Sequence, residues 1–166
     1  TQKPQEQTQL DSAIGIKQAD TVQNYILKND VVKITFSNQG AQPKSVELLN
    51  FKRYDKYPVV LNQSAFNQLN YKFNVKPNQT MDIKQVNFKA LPIVTNRDDG
   101  SQTIKFELPI GSDGASKKIT HEFTLKKGEY MLDFNIKVEG ADQLFTQNNI
   151  NFQWRSEEHT SELQSR

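Results

Sequence analysis

Two histidines are the side chains best suited to proton transfer near neutral pH, and both have a non-catalytic interpretation. His121 falls on the apolar phase of the alternating segment KITHEFTL, where a packed strand residue is far more frequent than a catalyst. His159 lies in a polar stretch near the end of the chain. The sequence therefore predicts no catalytic residue.

The sequence also predicts no metal or cofactor site. The absence of cysteine excludes disulfides, zinc–thiolate centres, thiol catalysis and a lipid-anchored cysteine on this segment. Asp98, Asp99 and Asp113 lie beside glycines, but their spacing does not match a calcium-binding EF-hand and favours turn formation. The segment GSDGASKK at 111–118 lacks the Gly-Lys-Ser/Thr ending of a phosphate-binding loop, so it is interpreted as a hairpin loop.

One segment mixes aromatic and basic residues. Phe51 to Tyr57 reads FKRYDKY, a combination that nucleic-acid-binding sheets also use. The whole chain, however, has 21 basic and 19 acidic residues, which gives no concentrated basic field. We therefore favour a loop at a strand end, and we expect no nucleic-acid partner.

Strands are the elements that must position all of these residues. Apolar side chains recur at every second position, which places them on one face of a strand. The clearest sets are Val32/Ile34/Phe36, Val46/Leu48 with the nearby Phe51, Leu69/Tyr71/Phe73/Val75, Ile104/Phe106/Leu108/Ile110, Ile119/His121/Phe123/Leu125, Tyr130/Leu132/Phe134/Ile136/Val138 and Ile150/Phe152/Trp154. Turn signals rich in Gly, Asn and Asp separate them. The pattern predicts an all-β, antiparallel sandwich.

The two ends of the chain depart from the strand pattern. Residues 1–23 are rich in Gln, Thr, Lys and Asp, which predicts a polar flexible tether; the alternative is a short amphipathic helix from Leu10 to Ala19. Residues 155–166 resemble the in-frame translation of a common sequencing-adapter oligonucleotide, and the alternative is a genuine polar tail. No apolar run approaches the roughly 20 residues that span a bilayer. The chain lacks an initiator Met, so we expect natural sequence before Thr1.

The residues from Asn24 to Trp154 resemble a known family. The stretch DVVKITFSNQGAQPKSVELLNFKRYDKYPVVL resembles the opening of the periplasmic domain of YidC-type membrane protein insertases, in the form found in Bacteroidetes-like bacteria. HEFTLKKGEYMLDFNIKVEGADQ and NFQW resemble later strands of that domain. Relatives often carry paired glycines where this chain has Gly40-Ala41, and Asp-Gly where it has Asp55-Lys56. Pro43 stands where an apolar strand residue is common, which predicts a strand start or edge.

The resemblance implies a large twisted β-sandwich, often called a supersandwich, similar to sugar-mutarotase folds. Residues 24–154 would be an incomplete part of this periplasmic domain, with some strand edges unpaired. A membrane helix before the tether and a helical membrane core after the domain are implied. The implied role is non-enzymatic and accessory, at the inner membrane, with nascent membrane proteins and Sec translocon components as partners. One alternative is a mutarotase-like carbohydrate-binding or carbohydrate-active sandwich, although a single credible histidine weakens it. Another alternative is a generic secreted adhesion or binding module.

Overall fold

The computed structural model describes residues 15, 16, 18–62, 68–111, 117–145 and 153–155. Short turns connect most of its strands, as the spacing of turn residues predicts. In chain order the strands are β1 (Asn24–Lys28), β2 (Val32–Ser37), β3 (Gln42–Lys52), β4 (Pro58–Asn62), β5 (Gln68–Asn70), β6 (Lys72–Lys76), β7 (Gln79–Asp82), β8 (Lys89–Ala90), β9 (Val94–Thr95), β10 (Gln102–Ile110), β11 (Lys117–Leu125), β12 (Leu132–Glu139) and β13 (Gln153–Arg155). A 3-10 turn (Ile83–Gln85) precedes β8, and a four-residue helix, α1 (Ala141–Leu144), follows β12.

Two antiparallel sheets contain most of these strands. The first has the order β1-β2-β3-β4, and the second has the order β12-β11-β10-β8, with β9 also paired to β10. Two small pairs, β5 with β13 and β6 with β7, lie beside them. No helix in the described residues is long and apolar enough to cross a membrane.

Aromatic rings from the two sheets meet in the core. The ring of Phe36 on β2 lies 4.9 Å from that of Phe123 on β11, and 6.2 Å from that of Phe106 on β10, between ring centroids. Tyr25 on β1 meets Phe106 edge-on at 5.7 Å. Contacts of this kind place the inner faces of the two sheets against each other, as in a sandwich. The prediction of an all-β antiparallel sandwich is therefore confirmed.

Burial follows the predicted alternation in the central strands. In β2 the buried positions are Val32, Ile34 and Phe36, and the residues between them are half-buried. The same period appears in β10, and His121 shares the buried phase of β11. The predicted alternation from Leu69 to Val75 is also present, since Leu69, Tyr71 and Phe73 are buried. These residues do not form one strand, however, because they are divided between β5 and β6.

Two predicted apolar positions differ from the pattern. Phe51 is 52% exposed because the register of β3 against β4 is irregular between Leu48 and Lys52. Tyr130 is 48% exposed and precedes β12, which begins at Leu132. Both side chains therefore lie at a strand end and not on the inner face. Pro43 is the second residue of β3, so the predicted strand start is confirmed.

The segment before β1 contacts the sandwich, where the sequence predicts a tether. Ile16 is 6% exposed and forms an isolated β-bridge with Ile110. The backbone N–H of Ala19 donates to the carbonyl of Asn87 at 2.9 Å. Ile16 and Ala19 are therefore held in place by residues distant in sequence, although the polar composition around them indicates no packed structure. The alternative prediction is a helix from Leu10 to Ala19, and most of that range lies outside the described residues. Ile16, inside the range, forms a β-bridge.

At two positions where relatives often carry glycine, this chain has Ala41 and Lys56, and both have a left-handed backbone. Ala41 has φ of 47° and Lys56 has φ of 66°, conformations that glycine adopts without steric cost. In the turn between β3 and β4, the N–H of Lys56 donates to the carbonyl of Arg53 at 2.9 Å. Both positions therefore adopt a backbone conformation that suits glycine.

We expect Lys56→Gly to stabilise the protein by about 0.5–1 kcal/mol, because glycine relieves the left-handed strain of this exposed position. Lys52→Gly is the matched control, since Lys52 lies in β3, where glycine weakens a strand by a similar amount. Urea denaturation of both variants measures the two opposite shifts. Destabilisation of both variants to the same extent would contradict the assigned turn conformation.

Candidate functional site

His121 lies inside the sandwich, out of contact with solvent. Its ring packs between Phe88 at 4.9 Å and Phe134 at 5.3 Å, between ring centroids. Its Nδ1 atom lies 2.8 Å from the carbonyl oxygen of Ala41, and its Nε2 atom lies 2.6 Å from the hydroxyl of Tyr71. Both ring nitrogens therefore have partners within the protein.

The partners determine which ring nitrogen carries the proton. A carbonyl oxygen only accepts, so Nδ1 donates to Ala41, and Nε2 of the neutral ring accepts from the Tyr71 hydroxyl. Burial lowers the pKa of His121 to about 4, against the smaller opposing effect of the hydrogen bond to Ala41. Burial also raises the pKa of the Tyr71 hydroxyl strongly. Both groups are therefore neutral at pH 7.

This network connects three parts of the fold. Ala41 follows β2, Tyr71 lies between β5 and β6, and His121 is in the middle of β11. Because substrate has no access to the ring and both nitrogens are occupied, the arrangement suits a buried structural brace better than acid–base catalysis. This placement agrees with the sequence interpretation of a packed strand histidine.

We expect Tyr71→Phe to lower the free energy of unfolding by about 1–3 kcal/mol, because it leaves Nε2 of His121 buried without its hydrogen-bond donor. Tyr130→Phe is the control, since Tyr130 is half exposed and its replacement should change stability by less than about 0.5 kcal/mol. Chemical denaturation of both variants tests this difference. Equally small losses of stability in the two variants would show that the Tyr71 hydroxyl does not stabilise the His121 ring.

Asn38 is a second buried polar centre, which the sequence indicated only as a turn residue. Its Oδ1 accepts from the N–H of Gln23 at 2.7 Å. Its Nδ2 donates to the carbonyls of Thr21 at 2.9 Å and Phe88 at 3.2 Å. Asn38 thereby holds the segment before β1 against the start of the second sheet. No local signal reveals this role, because all three partners are distant in sequence.

A polar cleft of about 490 Å³ lies beside this segment. Its lining comes from Gln18, Ala19, Asp20, Thr21, Gln23, Tyr25, Asn38, Lys89, Ala90 and Pro109. Asp20 and Lys89 are its charged side chains.

In the turn before β10, an aspartate carboxylate hydrogen-bonds to a neighbouring residue. The Asp99 carboxylate accepts from the N–H of Ser101 at 2.9 Å and from its hydroxyl at 2.7 Å. These hydrogen bonds lower the pKa of the Asp99 carboxyl. Within the described residues, no three His, Cys, Asp or Glu side chains converge as a metal site would require. Asp98 and Asp99 are thus turn formers, and Asp113 and His159 lie outside the described residues.

The aromatic and basic segment forms one end of the sandwich. We call residues 51–57, which end β3 and form the turn after it, and residues 126–131, after β11, the aromatic end. Its exposed large side chains are Phe51, Tyr54, Tyr57, Tyr130 and Met131. The rings of Phe51 and Tyr130 lie 6.3 Å apart between centroids, so the two segments are neighbours. Five of the eleven exposed large apolar side chains of the described residues lie at this end, as in a contact surface.

Comparison with known proteins identifies the family. The model of the YidC periplasmic domain matches residues 25–165. The chain is 33% identical to the membrane protein insertase YidC of Bacteroides fragilis over 116 residues, which cover 70% of this chain and 17% of that protein. The YidC proteins of Phocaeicola vulgatus and Cytophaga hutchinsonii are 27% and 26% identical, over 81% and 85% of this chain and 20% and 22% of their own lengths.

The chain thus spans about a fifth of the length of these relatives. No solved structure matches it. The sandwich fold, the resemblance of the segments between Asn24 and Trp154 and the family match agree with one another. The chain belongs to the YidC periplasmic domain family.

Proposed function

We propose that this chain is the first part of the periplasmic domain of a membrane protein insertase, and that it assists insertion without catalysing a reaction. The observation that carries the proposal is the family match over residues 25–165, together with relatives that are named membrane protein insertases. In the proposed arrangement, residues 1–23 link the domain to a preceding membrane helix, with Ile16 and Ala19 of this segment held against the sandwich, and residues 24–154 belong to the domain. Residues 155–166 are proposed to derive from an adapter.

The buried network supports an accessory and non-enzymatic role. His121, the histidine that the described residues contain, is enclosed and makes its two hydrogen bonds to Tyr71 and Ala41. A catalytic histidine needs at least one nitrogen directed at a substrate. The carbohydrate-active alternative has no support from the three relatives above, each of which is named an insertase.

The outer strand of the second sheet supports the proposal that the sandwich continues in the natural protein. The apolar side chains of β12, from Leu132 to Val138, are only half-buried, although they lie on the inner phase of the strand. β12 also has β11 as its single neighbour in the described part of the sheet. Further strands would cover this face and pair this edge.

The proposed location is the periplasmic face of the inner membrane. Nascent membrane proteins are the proposed clients, and Sec translocon components are proposed neighbours, both through the intact insertase. Photo-crosslinking from exposed positions outside the aromatic end, such as Lys72 and Lys76 on β6, tests the translocon contact in the intact protein. Recovery of a translocon component supports the contact, and its absence from all crosslinks counts against it.

The genomic reading frame tests the identity of the whole protein. We expect one apolar span of about 20 residues before Thr1, and further strands followed by several such spans after Trp154. A frame that ends in a soluble domain overturns the proposal. The family match extends to residue 165, so the same result decides whether residues 155–166 belong to the natural protein.

Deletion in the intact insertase tests the accessory role. We expect an insertase that lacks its whole periplasmic domain, from residue 24 to the end of the strands expected after Trp154, with a flexible linker in its place, to keep most of its insertion activity in cells depleted of their own insertase. Protein accumulation in the membrane is the control for each variant. A deletion variant that accumulates normally but inserts no client would show that the domain is essential.

A further inference from the structure

The aromatic end combines side chains that suit a lipid–water boundary. Tyr54 is fully exposed, Met131 is 74% exposed and Tyr57 is 68% exposed. Single exposed apolar residues are ordinary on a protein surface, but these share one end of the sandwich with Phe51 and Tyr130. Tyrosine has an apolar ring and a polar hydroxyl, which suit the headgroup zone of a bilayer.

Hydrogen bonds hold the aromatic end in a defined shape. The N–H of Arg53 donates to the carbonyl of Tyr57 at 2.7 Å, which closes the turn between β3 and β4. The side-chain amide of Asn29, in the turn after β1, donates to the carbonyls of Lys126 and Glu129, both at 2.7 Å. The two segments are therefore presented together and do not need to fold on contact.

Charge at this end favours an anionic surface. The two segments contain five basic and two acidic residues, in a chain with a formal net charge of +2. Lys52, Lys56 and Lys127 are exposed among the aromatic rings. Asp55 pairs with Arg53, and Asp133 on β12 pairs with Lys126. With Asp133 and the turn at 97–99, which adds one basic and two acidic residues, the balance is six basic against five acidic residues, so the attraction to an anionic surface is weak and local.

We propose that the aromatic end docks onto the headgroup zone of an anionic phospholipid bilayer, with its tyrosines at the interface and its lysines on lipid phosphates. The proposal rests on the proposed function, which holds the domain beside a membrane.

A fluorescent label at Tyr54 tests the contact. The chain has no cysteine, so Tyr54→Cys provides a unique site for an environment-sensitive dye, and Gln79→Cys in the β6–β7 hairpin provides the control site. The chain is attached through an N-terminal histidine tag to vesicles that contain nickel-chelating lipid. With phosphatidylglycerol in the vesicles, we expect a blue shift and quenching by brominated lipid at position 54 and neither change at position 79.

Co-sedimentation with untagged protein measures the affinity. We expect Tyr54→Ser/Tyr57→Ser/Met131→Ser to bind phosphatidylglycerol vesicles about tenfold more weakly than the unmodified chain, because it removes the most exposed apolar groups. The control replaces three half-exposed apolar residues outside the aromatic end, Val22→Ser/Ile26→Ser/Leu61→Ser, and should bind like the unmodified chain. Salt at about 0.5 M, where the Debye length is about 4 Å, should weaken all binding.

Several results would overturn the docking proposal. These are no binding by the unmodified chain, equal losses in both triple variants, or equal dye responses at positions 54 and 79. Crosslinks from position 54 in the intact insertase that reach a protein and no lipid would replace the bilayer by a protein partner. None of these results affects the insertase assignment, which the reading frame and the deletion test separately.

Discussion

Replacing Phe36 by alanine is expected to lower the free energy of unfolding by about 3–5 kcal/mol. Phe36 is fully buried, and its ring contacts Phe106 and Phe123 on the opposite sheet. Alanine removes these contacts and leaves a cavity that the surrounding strands fill only in part. Because small domains are stable by about 5–15 kcal/mol, this is a large share of the total.

Phe51→Ala is the matched control for this experiment. Phe51 lies on the neighbouring strand β3 but is 52% exposed, so the same chemical change should cost much less, about 0.5–1 kcal/mol. Urea denaturation followed by circular dichroism measures both. Should Phe36→Ala fail to fold, Phe36→Leu keeps the test valid, with an expected loss of about 1.5 kcal/mol or less. Equal losses at positions 36 and 51 would contradict the packing of the two sheets around Phe36.

Acid is expected to destabilise the protein through His121. The pKa of a histidine is about 6.5 in an unfolded chain, and burial lowers it to about 4 in the folded protein. The unfolded state therefore binds more protons between these values, and the stability that is present above pH 6.5 is lost as the pH falls toward 4. The group is fully enclosed, so the loss amounts to about 3 kcal/mol.

A glutamine variant isolates this contribution from the carboxylates that titrate in the same range. In His121→Gln the side-chain amide can donate to the carbonyl of Ala41 and accept from Tyr71, but it does not titrate. We expect its stability to fall less steeply with acid, by up to about 1.4 kcal/mol per pH unit, in denaturation series at about pH 7, 6 and 5. Parallel curves for the two proteins would show that His121 is not buried in its neutral form.

The sequence alone predicted most of the strand pattern. The alternation of Val32, Ile34 and Phe36 predicts a half-buried strand, and the structure has β2 at that place with that burial. The alternation from Ile104 to Ile110 is equally reliable, because the side-chain period of a strand is a local property of the backbone. The prediction weakens at strand ends such as Phe51, where a register irregularity changes which residues face inward.

The candidate site was less accessible to such reasoning. The sequence correctly indicates a packed His121, because the residue lies on the apolar phase of its strand. It does not indicate the partners, since Tyr71 and Ala41 lie 50 and 80 residues away along the chain. The aromatic end is visible in part as the segment from Phe51 to Tyr57, but the second segment joins it only because the two sheets pack together and bring Tyr130 beside Phe51.

The sequence by itself determined the family, the β class and which residues of each central strand face inward. It could do so because residue order and side-chain alternation are local properties of the chain. The tertiary structure alone decided how distant polar groups are satisfied. It encloses His121 between Tyr71 and Ala41, and it orders the segment before β1 through Asn38. The physical reason is that a buried donor or acceptor needs a partner wherever the folded chain places one, and that position depends on the packing of the sheets.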